Sequence, residues 1–256
     1  MPIGITFSYS VMAAAVSLKE SIQKFLDEKP APFDIYDVTL TTRMQAAVDR
    51  FDIKRSSTYD HYGNADDLVN LSDFLGGIGM NTPADVEIMG EIVRGITKKI
   101  CAAYSKDSAW VTVRVSTPNK LFGEPRWHVD GLFFLEHDPK IPQSKFIFTI
   151  KGPGTLLADV SEELRGEFTA VRMVVGDDAK AFDLRAARNK VISASAETEK
   201  KLSQLHNSKG VIILVGNPTD AAIHSEPSID APRIFLSVLP GDSADVSGLQ
   251  KRFAKP

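Results

Sequence analysis

Near residue 105 the hydrophobic positions change their spacing, and the chain divides there. Before that point apolar residues recur mostly at helical intervals. Residues 13–27 set Val16, Leu18, Ile22, Phe25 and Leu26 among Lys19, Glu20 and Lys24, the pattern of an amphipathic helix. The run Lys29-Pro30-Ala31-Pro32 ends it. Residues 33–41 alternate, with Ile35, Val38 and Leu40, and predict a strand. Short helices are expected at 44–48 and 67–75, separated by a polar, loop-like stretch at 56–64. Gly76-Gly77-Ile78-Gly79 reads as a turn and not a phosphate loop, because no Lys-Ser/Thr pair follows it. Thr82 and Pro83 then form a helix start, cap first and proline at the first helical position. Met89, Ile92, Val93, Ile96, Ile100 and Tyr104 lie on one stripe of the helix that follows, which should buttress a sheet. Cys101 sits beside that stripe without a basic neighbour and reads as a packed thiol.

From Trp110 the period becomes two. Strands are expected at 110–115, through 125–134 after a Pro/Gly/Asn loop at 117–125, and at 145–150, 155–158, 168–175, 210–215, 221–224 and 233–239. A turn lies at 151–154, and one helix, 197–206 with Ser195 as its cap, interrupts the strands. Many short strands joined by Gly/Pro turns point to a sandwich or barrel. The expected fold is therefore mainly β with flanking helices (α+β): a helical or mixed region over 1–109 buttressing a β core over 110–240, with a loosely attached tail over 241–256.

Composition removes several functions. Thirty Lys+Arg against thirty-three Asp+Glu, a net charge of −3 with no block of either sign, offers no footprint for nucleic acid. A single cysteine rules out an internal disulfide and a cysteine-based zinc site, as suits a reducing cytoplasm. No secretory signal opens the chain and no apolar run is long enough for a membrane span, so a cytoplasmic protein acting on a small molecule is expected. Oligomeric state is not legible.

The candidate chemistry lies in two stretches, Pro125-Arg126-Trp127-His128-Val129-Asp130-Gly131-Leu132-Phe133-Phe134 and Ala221-Ala222-Ile223-His224-Ser225-Glu226-Pro227. In an extended segment His128 and Asp130 point to one side and Val129 to the other. His-x-Asp is common by chance, but His224 follows 96 residues later and Arg233 nine beyond it. Two histidines and one carboxylate suit non-haem iron(II) and leave coordination positions open. Arg233 lies in the apolar strand Ala231-Pro232-Arg233-Ile234-Phe235-Leu236-Ser237-Val238, where a buried guanidinium needs a partner, either a structural carboxylate or that of a ligand. His61, His137 and His206 form no competing set, and no G-x-S-x-G elbow supports a serine hydrolase.

His128-Val129-Asp130, an interval of strands, His224 and then Arg233 on the next strand resembles the iron(II)/2-oxoglutarate-dependent oxygenase superfamily over about residues 110–240. The resemblance implies a double-stranded β-helix of the jelly-roll or cupin kind. It implies Fe(II) on His128, Asp130 and His224, with 2-oxoglutarate and O2 in the remaining positions. Arg233 would pair by its fork with the far carboxylate of 2-oxoglutarate. Lys145 and Thr149, of one parity on the strand after the motif, are either a second group for this cosubstrate or surface residues. Arg114 either meets a substrate carboxylate or braces Asp130, and Trp127 either lines the substrate side or packs in the core. Gly152-Pro153-Gly154-Thr155 also resembles bacterial relatives. The implied activity is that of a dioxygenase, an oxidoreductase that releases succinate and CO2. Two features qualify the match: serine commonly stands two residues after the arginine, where this chain has Phe235 and reaches Ser237 at four, and Asp130 fills the position that halogenases leave small. The alternatives are an iron dioxygenase of the cupin type without 2-oxoglutarate, in which Arg233 is structural, and a metal-holding jelly roll without turnover.

Overall fold

The computed structural model of the protein describes residues 5–8, 17–119, 124–138, 140–175, 181–194 and 202–254. The start of the first expected helix, part of the 117–125 loop, Ser195 and the opening of the expected 197–206 helix lie outside them. Mixed α and β structure surrounds a large antiparallel sheet. Its order is β1 (Thr6–Ser8), β2 (Phe33–Thr39), β8 (Lys209–Val215), β5 (Gln143–Lys151), β10 (Arg233–Gly241), β4 (Ser108–Ser116) and β3 (Ser57–Asn64). A smaller sheet runs β7 (Leu202–Gln204), β6 (Leu156–Ala158), β9 (Ile223–Ser225). His128 extends it by a single antiparallel bridge to His224.

From residue 108 onward the pairings nest. β4 pairs with β10, His128 with His224, β5 with β8 and β6 with β7, so that each segment of the first half meets its counterpart counted back from the end. The chain thus runs as one long hairpin that alternates between the two sheets. Period-two patterning sorts its side chains. On β5, Phe146, Phe148 and Ile150 join the core under the helices, whereas Ile147 joins Leu157, Val211, Ile213 and Ala222 between the sheets.

Four helices, α1 (Leu18–Glu28), α2 (Thr42–Arg50), α3 (Leu71–Gly76) and α4 (Pro83–Ala103), lie in the chain before β4 and contribute to the core on the outer face of the large sheet. α4 begins as its sequence dictates, Thr82 Oγ1 accepting the Asp85 amide at 3.1 Å. Its Ile92, Val93, Ile96 and Ile100 share that core with Val111, Val113 and Leu236. Two more helices, α5 (Glu162–Val175) and α6 (Ala181–Ala194), cover the small sheet, with Phe168 and Ile192 packed on Ala158 and Ile223. Among the described residues no helix is long and apolar enough to cross a membrane.

Several elements differ from expectation. The stretch at 56–64 is not a loop but β3, an edge strand, which can afford polar residues because only Tyr59 needs burial. Residues 168–175 are helical: Leu164, Phe168 and Val171 make an i, i+4, i+7 stripe that outweighs their β-branched neighbours, and Ser161 Oγ accepts the Leu164 amide at the start. Where a helix was expected up to 206, Leu202–Gln204 is strand β7. Strands β1, β2 and β3, all from before residue 109, belong to the same sheet as β4. Residues 125–134 form no regular strand beyond the bridge at His128.

The tail is a docked helix, α7 (Ser243–Phe253), and not a loose end. Val246 and Leu249 are each 1% exposed, and Phe253 stacks on Trp110 with centroids 5.1 Å apart. His137 Nε2 lies 2.8 Å from Asp245 Oδ1, and Arg252 donates to the Phe133 carbonyl, which ties α7 to the segment just after Asp130. Leu249→Ala should cost about 2–5 kcal/mol of stability, the range for truncating a buried leucine. Urea unfolding measures it, and an unchanged midpoint would mean that α7 is not packed in solution.

Candidate metal centre

His128 and His224 face each other across two backbone hydrogen bonds of 3.0 Å, amide to carbonyl in both directions. That bridge sets their imidazoles side by side, centroids 4.3 Å apart. Alternation on each side of His128 behaves as expected. Trp127 and Val129 pack outward with Ile223 and Phe168, while Asp130 stays with the histidines. One ligand atom each from His128, Asp130 and His224 lies within 4.8 Å of the others. The Asp130 carbonyl also accepts the Gly216 amide at 2.8 Å, which fixes the backbone just past the motif. Gly216 has φ +101°, and a Cβ there would press on Leu132 at 2.6 Å.

The donor set fits a cation. His128 Nδ1 lies 2.7 Å from the Arg126 carbonyl and His224 Nδ1 3.0 Å from that of Ala222. A carbonyl only accepts, so both Nδ1 atoms carry the proton and both Nε2 lone pairs are left as ligands. His224 Nε2 then faces Asp130 Oδ2 at 3.3 Å, lone pair toward carboxylate, an arrangement that calls for positive charge between them. Lys145 Nζ supplies some at 2.7 Å, yet Oδ2 is buried and accepts no hydrogen bond of good geometry. Burial pushes the His128 imidazole down to about 4, helped by His224, so it is a neutral ligand at physiological pH. Burial would raise the Asp130 carboxyl, but the Lys145 ammonium beside it holds the group well below the usual carboxylate range.

Among the described residues Arg233 is the largest fully buried side chain, at 1% exposure. Its Nε donates to the Pro153 carbonyl at 2.9 Å, Nη2 donates to Thr155 Oγ1 at 3.1 Å, and Thr149 Oγ1 stands 3.5 Å from Nη2. Phe235 lies under the guanidinium, 4.7 Å from ring centroid to Cζ. All these partners are neutral, and among the described residues no carboxylate pairs with it. Burial, and secondarily Arg114, pulls Arg233 down to about 9.

The Gly152-Pro153-Gly154-Thr155 run is the cradle of this arginine. Gly152, at φ +87°, packs so closely that a Cβ would sit 2.3 Å from the Pro232 carbonyl, and at Gly154 a Cβ would meet the Leu205 carbonyl at 1.8 Å. Only glycine lets this turn close round Arg233. A register shift at Ile234/Phe235 carries β5 from Lys151 to Thr149, so Thr149 stays inside while Lys151 caps the α2 carbonyls of Val48 and Asp49 at 2.7 Å.

The other expected residues fall as follows. Lys145 and Thr149 are both inward, Lys145 on Asp130 and Thr149 beside Arg233. Arg114 does not brace Asp130; it pairs with Glu226, which Arg126 also holds. Trp127 is buried in the core over the small sheet, yet it also borders a cavity of about 350 Å³ that opens beside His128. Arg185 and Arg188 line that cavity from α6, a helix that the sequence pattern did not reveal, and with Glu226 and Thr155 they are the residues that sequence reasoning missed. His61 and His206 make local contacts to Asn64 and Ser208, and His137 meets Asp245 of α7. Cys101 is a buried thiol, pushed up to about 12 by burial.

Neither a family model nor a curated protein matches the sequence. Among solved structures the chain is similar to a prolyl-4-hydroxylase of Pseudomonas putida, at 8% identity and TM-score 0.42, covering 87% of this chain and 98% of that one. It is also similar to the Kdo hydroxylase KdoO, a non-heme Fe(II) alphaketoglutarate-dependent dioxygenase, at 8% identity and TM-score 0.43 over 91% and 86% of the two chains. A third likeness is to a Trichoplax adhaerens prolyl hydroxylase, at 8% identity and TM-score 0.41 over 90% and 93%.

His128→Ala should weaken iron(II) or manganese(II) binding by more than about 100-fold, since even residues one step removed from a metal are worth 10–100-fold. Anaerobic calorimetry with a circular-dichroism check of folding measures it. A folded variant with undiminished affinity would remove His128 from the centre.

Proposed function

We propose that the protein is an iron(II)- and 2-oxoglutarate-dependent oxygenase on a double-stranded β-helix, and that it oxidises a small molecule. The nested hairpin that alternates between two sheets supports the fold reading. The observation that carries the function is the buried Arg233, a fixed cation held by neutral acceptors among the described residues, in the same interior as a two-histidine, one-carboxylate set.

A buried charge without a counter-charge is costly, and a structural arginine would have a carboxylate beside it. A ligand carboxylate supplies it instead. Thr155, which Arg233 touches, is two residues before Leu157, and Leu157 stands opposite His224. Two residues of strand span about 7 Å, the scale of a five-carbon dicarboxylate. 2-Oxoglutarate would therefore reach from Arg233 toward the histidines.

His128, Asp130 and His224 would hold the iron, the ion taking over the Asp130 oxygen that Lys145 faces without it. When bound, iron(II) and 2-oxoglutarate supply the oxidising chemistry: one O2 is consumed, 2-oxoglutarate becomes succinate and CO2, and a substrate C–H becomes C–OH. Ile147, Leu157 and Phe235 make the interior around the cosubstrate apolar and exclude water from it.

Arg233→Ala should weaken 2-oxoglutarate binding by about 2–5 kcal/mol, and Arg233→Lys should recover part of that loss. Arg233→Met should weaken binding as much as Arg233→Ala while leaving the ligand-free protein within about 1 kcal/mol of its stability, because loss of the hydrogen bonds is offset by relief of charge burial. Calorimetry on the manganese-loaded protein and urea unfolding decide it. Equal 2-oxoglutarate affinities across the series would favour an iron oxygenase that does not use this cosubstrate.

A further inference from the structure

We infer that the cavity beside His128 receives the substrate, and that the substrate is a small molecule carrying an oxyanion, a carboxylate or phosphate, held by Arg185 and Arg188 with Arg126. This rests on the reading of the neighbouring histidine set as the reaction centre. One wall of the cavity is His128 itself, so a molecule seated there lies against the centre.

The charge of its walls is lopsided. Among the described residues that line it, four are arginines, Arg114, Arg126, Arg185 and Arg188, and one is a glutamate, Glu226. Glu226 is already shared by Arg114 and Arg126, one oxygen to each. Among the described residues no carboxylate pairs with Arg185. Like charges gathered on a concave wall focus their field into the space they enclose. The whole chain, by contrast, carries net charge −3, so the gathering of arginines is local to this cavity and offers nothing to an extended polyanion.

Size and lining narrow the class. About 350 Å³ is at the small end of metabolite pockets and far too small for a folded partner. Leu184 and Trp127 give the cavity an apolar side, which fits a molecule with a carbon body as well as an anionic head. Guanidinium forks pair two-pronged with carboxylate and phosphate oxygens, which fixes the orientation of the head. Held there, the head lies among the arginines and the body is directed past His128. This oxyanion site is separate from that of Arg233, whose contacts are Pro153, Thr155 and Thr149. The enzyme would thus hold two anions at once.

The test titrates inorganic phosphate in one arm and benzoate in the other into the manganese-loaded protein. Binding is followed by calorimetry and by the indole N–H signal of Trp127, one of only two tryptophans. At least one anion should bind and shift the Trp127 signal, and the arm that binds more tightly identifies the head group. Arg185→Gln and Arg188→Gln should each weaken binding about tenfold, and the lysine variants less. Arg233→Met should leave anion affinity within about twofold, since its site is a different one. Binding that survives in a protein without 2-oxoglutarate turnover would still support the anion site, while the oxygenase reading alone would fall. No binding of either anion by the wild type, or equal affinity in the Arg185→Gln/Arg188→Gln double variant, would overturn the inference. So would displacement of phosphate by 2-oxoglutarate in the metal-free Arg233→Met protein, because the cavity would then be the cosubstrate's own.

Discussion

Two reciprocal backbone hydrogen bonds between His128 and His224 hold the centre together. They join segments 96 residues apart in sequence, and the Arg126 amide adds a bond to Ser225 Oγ of the same strand, β9. The rest of the winding exists around this contact. β4 with β10 and β5 with β8 fasten the hairpin on the large sheet, β6 with β7 closes it, and α5 and α6 cover the outer side, where Trp127 and Val129 anchor the strand that presents His128 and Asp130. The backbone bridge sets the ring positions, and the carbonyls of Arg126 and Ala222 set the tautomers.

Charge in the interior is unequally satisfied. Asp130 has Lys145 close by, whereas among the described residues Arg233 has a carbonyl, threonine hydroxyls and the Phe235 ring. The chain spends two glycines, Gly152 and Gly154, on closing a turn round that arginine, and substitution of either would drive a Cβ into backbone. Such shaping around an uncompensated cation is hard to account for as packing, because an apolar residue of similar volume would fill the space without the desolvation cost. A carboxylate ligand would account for it.

Much of this was legible in the residues. Period-two alternation predicts that His128 and Asp130 share a side while Val129 turns away, and it gives Lys145 and Thr149 one parity without deciding between interior and surface. The capping signal at Thr82-Pro83 and the stripe from Met89 to Ile100 define α4. Elsewhere local pattern misled. The β-branched run after Phe168 hides a helical stripe, and β3 is polar because an edge strand on this sheet buries little more than Tyr59. α6 has a weak apolar face, so Arg185 and Arg188 gave no sign of converging on the cavity. Contacts such as Glu226 with Arg114 and Arg126, or Lys145 with Asp130, depend on which strands become neighbours, and the spacing of residues along one chain does not contain that.

The central claim is that one interior holds a metal at one end and a dicarboxylate at the other. A crystal structure of the protein grown with manganese(II) and 2-oxoglutarate tests it most directly. The account predicts a single ion bound by Nε2 of His128, Nε2 of His224 and a carboxylate oxygen of Asp130, with Lys145 released from that oxygen, and the far carboxylate of 2-oxoglutarate paired two-pronged with Arg233 beside Thr155. An ion held elsewhere, or 2-oxoglutarate bound with Arg233 still facing only Pro153 and the two threonines, would contradict it.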